Sequence, residues 1–115
     1  MHELSIAYSL VQLAIETAKQ NDLKKVDALH VKLGVFSGVV KEALEFSFDI
    51  ATEGTGIEGA RLIIDEIPLK IYCSQCESEY VLPKPIPMKC PECNISTGEI
   101  LEGKEIELYS LVGGG

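Results

Sequence analysis

The sequence has few basic residues and no cluster of them. Its 115 residues include ten Lys and Arg against eighteen Asp and Glu, which gives a net charge of −8. Proteins that bind nucleic acids usually present a basic patch to the phosphate backbone. Here the basic residues are scattered, and four glutamates crowd the C-terminal end: Glu99, Glu102, Glu105 and Glu107. This composition predicts no nucleic-acid partner and is compatible with cations or basic protein surfaces.

Long apolar runs and a secretory signal are also missing. A membrane-spanning helix needs roughly 18 or more consecutive apolar residues, and the sequence contains no such run. The opening residues, MHELSIAYSL, have no basic n-region, and the acidic Glu3 and Glu16 bracket the apolar stretch, so we expect no signal peptide. We therefore predict a cytoplasmic protein without a membrane partner. In a reducing compartment, paired cysteines are more often metal ligands than disulfides.

Hydrophobic periodicity predicts two helices and three strands. Helical spacing of apolar residues indicates helices over about 4–20 and 40–52, the second with one apolar side: Val40, Leu44, Phe48 and Ala51. Alternating or continuous apolar residues indicate strands over about 29–35, 61–72 and 105–112. The predicted fold class is α/β, with two helices packed on a small three-stranded mixed sheet and an inserted zinc-ribbon-like module that carries four cysteines.

The strongest motif is a pair of CxxC sequences. Cys73 and Cys76 form the first, and after thirteen residues Cys90 and Cys93 form the second. A CxxC turn presents two thiolates to one ion, and two turns complete the tetrahedron that zinc prefers. Because all four positions come from the protein, the pattern predicts a closed, structural zinc site. The alternative is a disulfide or redox pair, which is less expected because the sequence predicts no oxidising compartment for this protein.

The cysteine module divides the predicted α/β domain in two. We predict that the zinc-binding module comprises residues 73–93, inserted between strands, and that residues 1–72 and 94–115 together form the α/β domain. Three prolines separate the CxxC pairs and predict an extended arm: Pro83, Pro85 and Pro87. Since the module has few apolar residues, we expect metal removal to unfold it locally.

The first three residues form a second candidate metal site. The α-amine of Met1, the neighbouring backbone nitrogens and the His2 imidazole can converge on one ion. Because a bulky second residue such as His2 normally prevents removal of the initiator methionine, we expect Met1 to keep its free α-amine. Nitrogen ligands in a plane suit Ni(II) or Cu(II). From the residues alone a second interpretation stays open, in which His2 is an exposed terminal histidine and Glu3 favours the N-terminus of a helix without any metal.

The same opening sequence resembles a known family. Met1-His2-Glu3-Leu4-Ser5 is similar to the MHExS opening of the HypA/HybF nickel metallochaperones of hydrogenase maturation. The similarity extends over essentially the whole chain and includes both CxxC pairs. It also covers the end of the first strand, the second helix and the following loop: Gly34, Glu42, Leu44, Phe46, Phe48, Gly54-Thr55 and Gly59-Ala60.

The resemblance implies a metal carrier rather than an enzyme, with no catalytic residues. It implies that Ni(II) binds through Met1 and His2 with Glu3 nearby, that zinc is structural on the four cysteines, and that nickel passes to the large subunit of [NiFe] hydrogenase. The implied partners are a nickel-handling GTPase, the hydrogenase large subunit and, in some members, urease maturation proteins. Some members carry a histidine beside a CxxC pair, whereas CSQC and CPEC have none here.

Two other classes of function compete with the carrier. One is a zinc-ribbon protein-interaction module of another complex, and the other is a small metalloenzyme, which a closed metal site disfavours. The string Gly54-x-Gly56-x-x-Gly59 matches a dinucleotide fingerprint, but a helix precedes it and a strand follows, which is the reverse of the required order. The sequence has no GxxxxGK[ST] motif, so we expect no nucleotide hydrolysis.

Overall fold

A computed structural model describes residues 3–83, 88–96 and 99–114. These ranges contain two helices, α1 (Glu3–Gln20) and α2 (Lys41–Thr52). They also contain six strands: β1 (Lys25–Gly34), β2 (Arg61–Ile67), β3 (Leu69–Cys73), β4 (Ser78–Leu82), β5 (Ile100–Glu102) and β6 (Ile106–Gly114). Neither helix within the described ranges is long and apolar enough to cross a membrane.

The first sheet has the order β2-β1-β6 and carries both helices. β1 is parallel to β2 and antiparallel to β6, so the sheet is mixed, as predicted. Alternate residues of β1 point into the core, where Leu29 and Val31 are fully buried together with Leu44 and Phe48 of α2. This core packs the two helices side by side on one face of the sheet. The predicted two-helix, three-stranded architecture is confirmed.

The predicted strand over 61–72 is in fact two strands that belong to different sheets. β2 ends at Ile67, Pro68 follows, and β3 begins at Leu69. Proline has no N–H for the ladder, so it interrupts strand pairing and lets the chain leave the first sheet. β3 then becomes the centre of a second sheet with the order β4-β3-β5, in which both pairings are antiparallel.

The second sheet has a small apolar core of its own. Leu69, Ile71 and Leu82 are buried there, and partly buried residues surround them: Phe36, Tyr80, Met88 and Ile100. Several of these lie outside 73–93, because strand pairing in this sheet extends from Leu69 to Glu102. The limits of the two predicted domains stay a prediction. Of the proline-rich stretch, residues 84–87 lie outside the described ranges.

Two glycines allow the sheets to approach each other closely. A Cβ atom on Gly34, at the end of β1, would lie only 2.0 Å from the carbonyl oxygen of Gly103. The N–H of Phe36 donates to that oxygen at 2.7 Å. Gly103 itself has a φ of 121°, a conformation that side chains disfavour. The junction is therefore backbone packed directly on backbone.

Candidate metal centre

The four cysteines converge at one end of the second sheet. Cys73 ends β3, Cys76 lies in the turn to β4, and Cys90 and Cys93 lie on the segment between β4 and β5. Their sulfur atoms all lie within 4.8 Å of one another. Within the described residues, this is the one group of three or more His, Cys, Asp or Glu side chains close enough together to hold an ion.

The sulfur spacing fits a tetrahedral metal site rather than a disulfide. The Sγ atoms of Cys73 and Cys93 are 3.5 Å apart, and those of Cys76 and Cys90 are 3.8 Å apart. Four Zn–S bonds of about 2.3 Å at tetrahedral angles place the sulfurs about 3.8 Å apart, whereas a disulfide bond measures about 2.05 Å. The arrangement can therefore enclose one ion with four thiolates and leave no position for substrate.

The two CxxC turns share a local geometry. In each turn the residue after the second cysteine, Glu77 or Asn94, has a positive φ, of 52° and 67°. The N–H of Cys76 donates to the sulfur of Cys73 at 3.5 Å, and the N–H of Asn94 donates to the carbonyl of Cys90 at 2.9 Å. Left-handed backbone of this kind costs non-glycine residues free energy. Its repetition indicates that both turns are shaped to present their sulfurs.

Hydrogen bonds and burial give the cysteine thiols different pKa values. Burial, the largest single influence, raises the pKa of the Cys90 thiol, but hydrogen bonds from the backbone N–H groups of Cys93 and Glu92 and from the Cys73 and Cys93 side chains together lower the pKa to about 7. Hydrogen bonding with Cys93, together with burial, raises the pKa of Cys76 to about 12. Adjacent thiolates repel one another, so the cluster without an ion retains protons. A divalent cation offsets that repulsion and deprotonates its ligands.

The predicted nickel ligands are only partly within the described ranges. Met1 and His2 lie outside them, while Glu3 begins α1. The Oε2 atom of Glu3 accepts a hydrogen bond from the backbone N–H of Val40 at 3.2 Å. Val40 precedes α2 and its own side chain makes no capping hydrogen bond, so Glu3 satisfies an N–H group at the start of the other helix. No sequence pattern indicates this contact, because 37 residues separate the two partners.

Comparison with known proteins agrees with these features. A family model described as "Hydrogenase/urease nickel incorporation, metallochaperone, hypA" matches residues 1–112. The chain belongs to the HypA family. It is 48% identical over 111 residues to a hydrogenase maturation factor HypA of Roseiflexus sp. (strain RS-1), a match covering 96% of this chain and 90% of the relative. It is 43% identical to HypA of Chloroflexus aurantiacus, covering 96% of this chain and 97% of that one.

Solved HypA structures share the fold. The solution structure of the Ni metallochaperone HypA from Helicobacter pylori superposes with a TM-score of 0.74 at 27% identity, over 99% of this chain and 98% of that one. A second HypA solution structure gives a TM-score of 0.72 at 28% identity, over 98% and 96% of the two chains. The predicted family is thus confirmed. HypA proteins are nickel-incorporation metallochaperones of hydrogenase maturation, and the family is not one of enzymes.

Proposed function

We propose that this HypA-family protein binds Ni(II) at its N-terminus and helps deliver it to the large subunit of [NiFe] hydrogenase during maturation. The ligands are the Met1 amine, neighbouring backbone nitrogens and the His2 imidazole, with Glu3 close by. Family membership across residues 1–112 is the observation that carries this proposal. The chemistry supports it, because nitrogen ligands in a plane suit Ni(II) better than the tetrahedral zinc ion.

The four cysteines have a different role in this proposal. They hold a structural Zn(II) ion, since soft thiolates in a closed tetrahedron are a donor set that zinc prefers. The spacings of 3.5 and 3.8 Å within two of the sulfur pairs support this assignment. When bound, the ion supplies crosslinking of the two CxxC turns rather than chemistry on a substrate. The second sheet thereby becomes a stable partner-binding unit beside the nickel-binding domain.

The partners follow from the same proposal. The protein acts in the cytoplasm with a nickel-handling GTPase, the hydrogenase large subunit and, where the cell makes urease, urease maturation proteins. The family description supports both clients because it names hydrogenase and urease together. Neither nucleic acid nor membrane is part of the proposed pathway, and the net charge of −8 disfavours phosphate-rich surfaces.

A nickel titration of matched histidine variants tests the nickel site. Calorimetry on zinc-loaded protein should give one tightly bound nickel per chain in the wild type and none in His2→Ala. His30→Ala is the control, because His30 lies in β1 with its ring against Tyr109, at a centroid distance of 6.0 Å. Both variants should keep one zinc per chain by elemental analysis. Equal nickel affinity in the wild type and His2→Ala would contradict the assignment.

Delivery is tested by complementation in a strain that lacks its own HypA gene. Wild-type protein and His30→Ala should restore hydrogenase activity in nickel-limited medium, and His2→Ala should not. Restoration by His2→Ala at low nickel would separate hydrogenase maturation from nickel binding at the N-terminus. Excess nickel in the medium is the internal control, since it can bypass a defect in metal supply without repairing a defect in folding.

A further inference from the structure

The outer face of α2 exposes two large apolar side chains. Phe46 is 70% exposed and Ile50 is 39% exposed, and they lie one helical turn apart. Phe48, two residues from Phe46, is fully buried and already anchors the helix in the core. A single exposed apolar residue is ordinary, but an exposed aromatic paired with a second apolar residue on the same stripe is typical of contact surfaces.

The same helix is strongly acidic around this pair. Its carboxylates flank the apolar stripe: Glu42, Glu45, Asp49 and Glu53 at the C-cap. Its one basic residue, Lys41, is already paired with Glu66, at 3.5 Å. Spacings of four residues place like charges together along the helix, which destabilises it. Asp49 and Glu53 also lie near the C-terminal end, where the helix dipole disfavours negative charge. Helix stability therefore does not explain this pattern.

The carboxylates continue into a cleft between α2 and β2. The cleft has a volume of about 650 Å³. Arg61 is the one cation among the residues that line it. Four of the lining residues are acidic: Glu45, Asp49, Glu53 and Glu58. An apolar ridge thus lies directly beside a negatively charged groove. We refer to Phe46, Ile50 and the acidic lining of this cleft as the α2 surface.

We infer that the α2 surface docks a basic amphipathic helix of a protein partner. Around Phe46 the backbone groups of α2 bond within the helix, so a partner cannot add a strand here and must bind through side chains. Apolar residues one turn apart on the partner would cover Phe46 and Ile50, while its Lys and Arg side chains enter the cleft. A second copy of this chain would bring the same negative charges against one another, and an anionic membrane would be repelled for the same reason.

Peptide binding tests the surface without identifying the natural partner. The probe is a synthetic helix, about three heptads long so that it can fold, with leucines on one face and lysines on the other. The comparison peptide has glutamates in place of the lysines. Fluorescence anisotropy is measured with full-length, zinc-loaded protein and no nickel. The basic peptide should bind and the acidic one should not. Binding should weaken as ionic strength rises, because exposed charge pairs are screened.

Three variants locate the binding. Phe46→Ser should weaken it by about tenfold or more, as expected for a central aromatic anchor. The double variant Glu45→Lys, Asp49→Lys should weaken it and reduce its salt dependence, and it keeps the test valid if Phe46→Ser is poorly folded. Val81→Ser is the control, since Val81 is also an exposed apolar residue, 55% accessible, but lies on β4. Its affinity should equal that of the wild type.

Other results would overturn the inference. Equal affinity for the acidic peptide, or wild-type affinity in both α2 variants, would show that the surface is not the docking site. A shift from dimer to monomer in Phe46→Ser by light scattering would assign the surface to self-association, and Phe46-dependent sedimentation with anionic vesicles would assign it to lipid. Because the assay contains no nickel, its outcome does not depend on nickel binding by His2.

Discussion

The two phenylalanines of α2 provide a sharp test of how this helix is packed. Phe48 is fully buried among core residues of α1 and β1, whereas Phe46 is 70% exposed. Replacing a buried Phe by Ala costs the transfer free energy of the ring and the cavity it leaves, together about 3–5 kcal/mol. An exposed side chain leaves no cavity, so Phe46→Ala should change the free energy of unfolding by about 0.5 kcal/mol or less.

These differences translate into well-separated melting temperatures. An unfolding entropy of about 2.1 cal/mol/K per residue gives roughly 0.24 kcal/mol/K for a chain of 115 residues. Phe48→Ala should therefore lower Tm by about 12–20 °C, and Phe46→Ala by about 2 °C at most. Since domains of this size are stable by only about 6–17 kcal/mol, Phe48→Ala removes a large share of the total.

The assay is urea unfolding followed by far-UV circular dichroism, with thermal scans as a second readout. Zinc is held at the same excess for each protein, because a ligand that binds the folded state raises the apparent stability. The midpoint should move while the slope with urea stays constant, as expected when only stability changes. Equal losses in the two variants, or a larger loss in Phe46→Ala, would refute the burial assigned to this helix and the accessibility of the α2 surface.

Three further expectations concern the sheet junction, the acidic helix and the metal. Gly34→Ala should lower the free energy of unfolding by about 1–3 kcal/mol or more, because its Cβ would lie 2.0 Å from the carbonyl oxygen of Gly103. Gly56→Ala is the control and should keep wild-type stability, because a Cβ there meets nothing within 4 Å. Similar losses of stability in the two variants would exclude the close contact at Gly34. Asp49→Lys should stabilise the protein by about 0.5 kcal/mol at low salt, by removing like-charge repulsion near the helix C-terminus, and a lower urea midpoint would count against that reasoning. Chelation of zinc should abolish hydrogen-exchange protection in β3, β4 and β5 while α1 retains it, so uniform loss in both regions would mean that the chain unfolds as one unit.

Local sequence patterns were sufficient for much of the fold. Helical periodicity located both helices to within a few residues, because an apolar stripe repeats every turn wherever the helix packs. Val40, which was predicted to lie on the apolar side of the second helix, is not buried. It is 55% exposed and precedes α2 in an extended conformation. Its spacing fitted the stripe, but a residue outside the helix does not follow helical geometry. The exposure of Phe46 could not be predicted from its being apolar, since it depends on which face of α2 the sheet covers.

The order of residues along the chain was enough for the family resemblance, the mixed α/β architecture and the grouping of four cysteines. Each of these depends on short-range spacing, since two residues between cysteines suffice to aim both sulfurs at one ion. Three other features emerge only in the folded molecule: the chain leaves the first sheet at Pro68, Gly34 packs against Gly103, and Glu3 hydrogen-bonds the N–H of Val40. The Gly34–Gly103 and Glu3–Val40 contacts join residues far apart in the chain. The point at which the chain leaves the first sheet, Pro68, depends on which strands pair. All three are set by how whole elements pack, which no local pattern specifies.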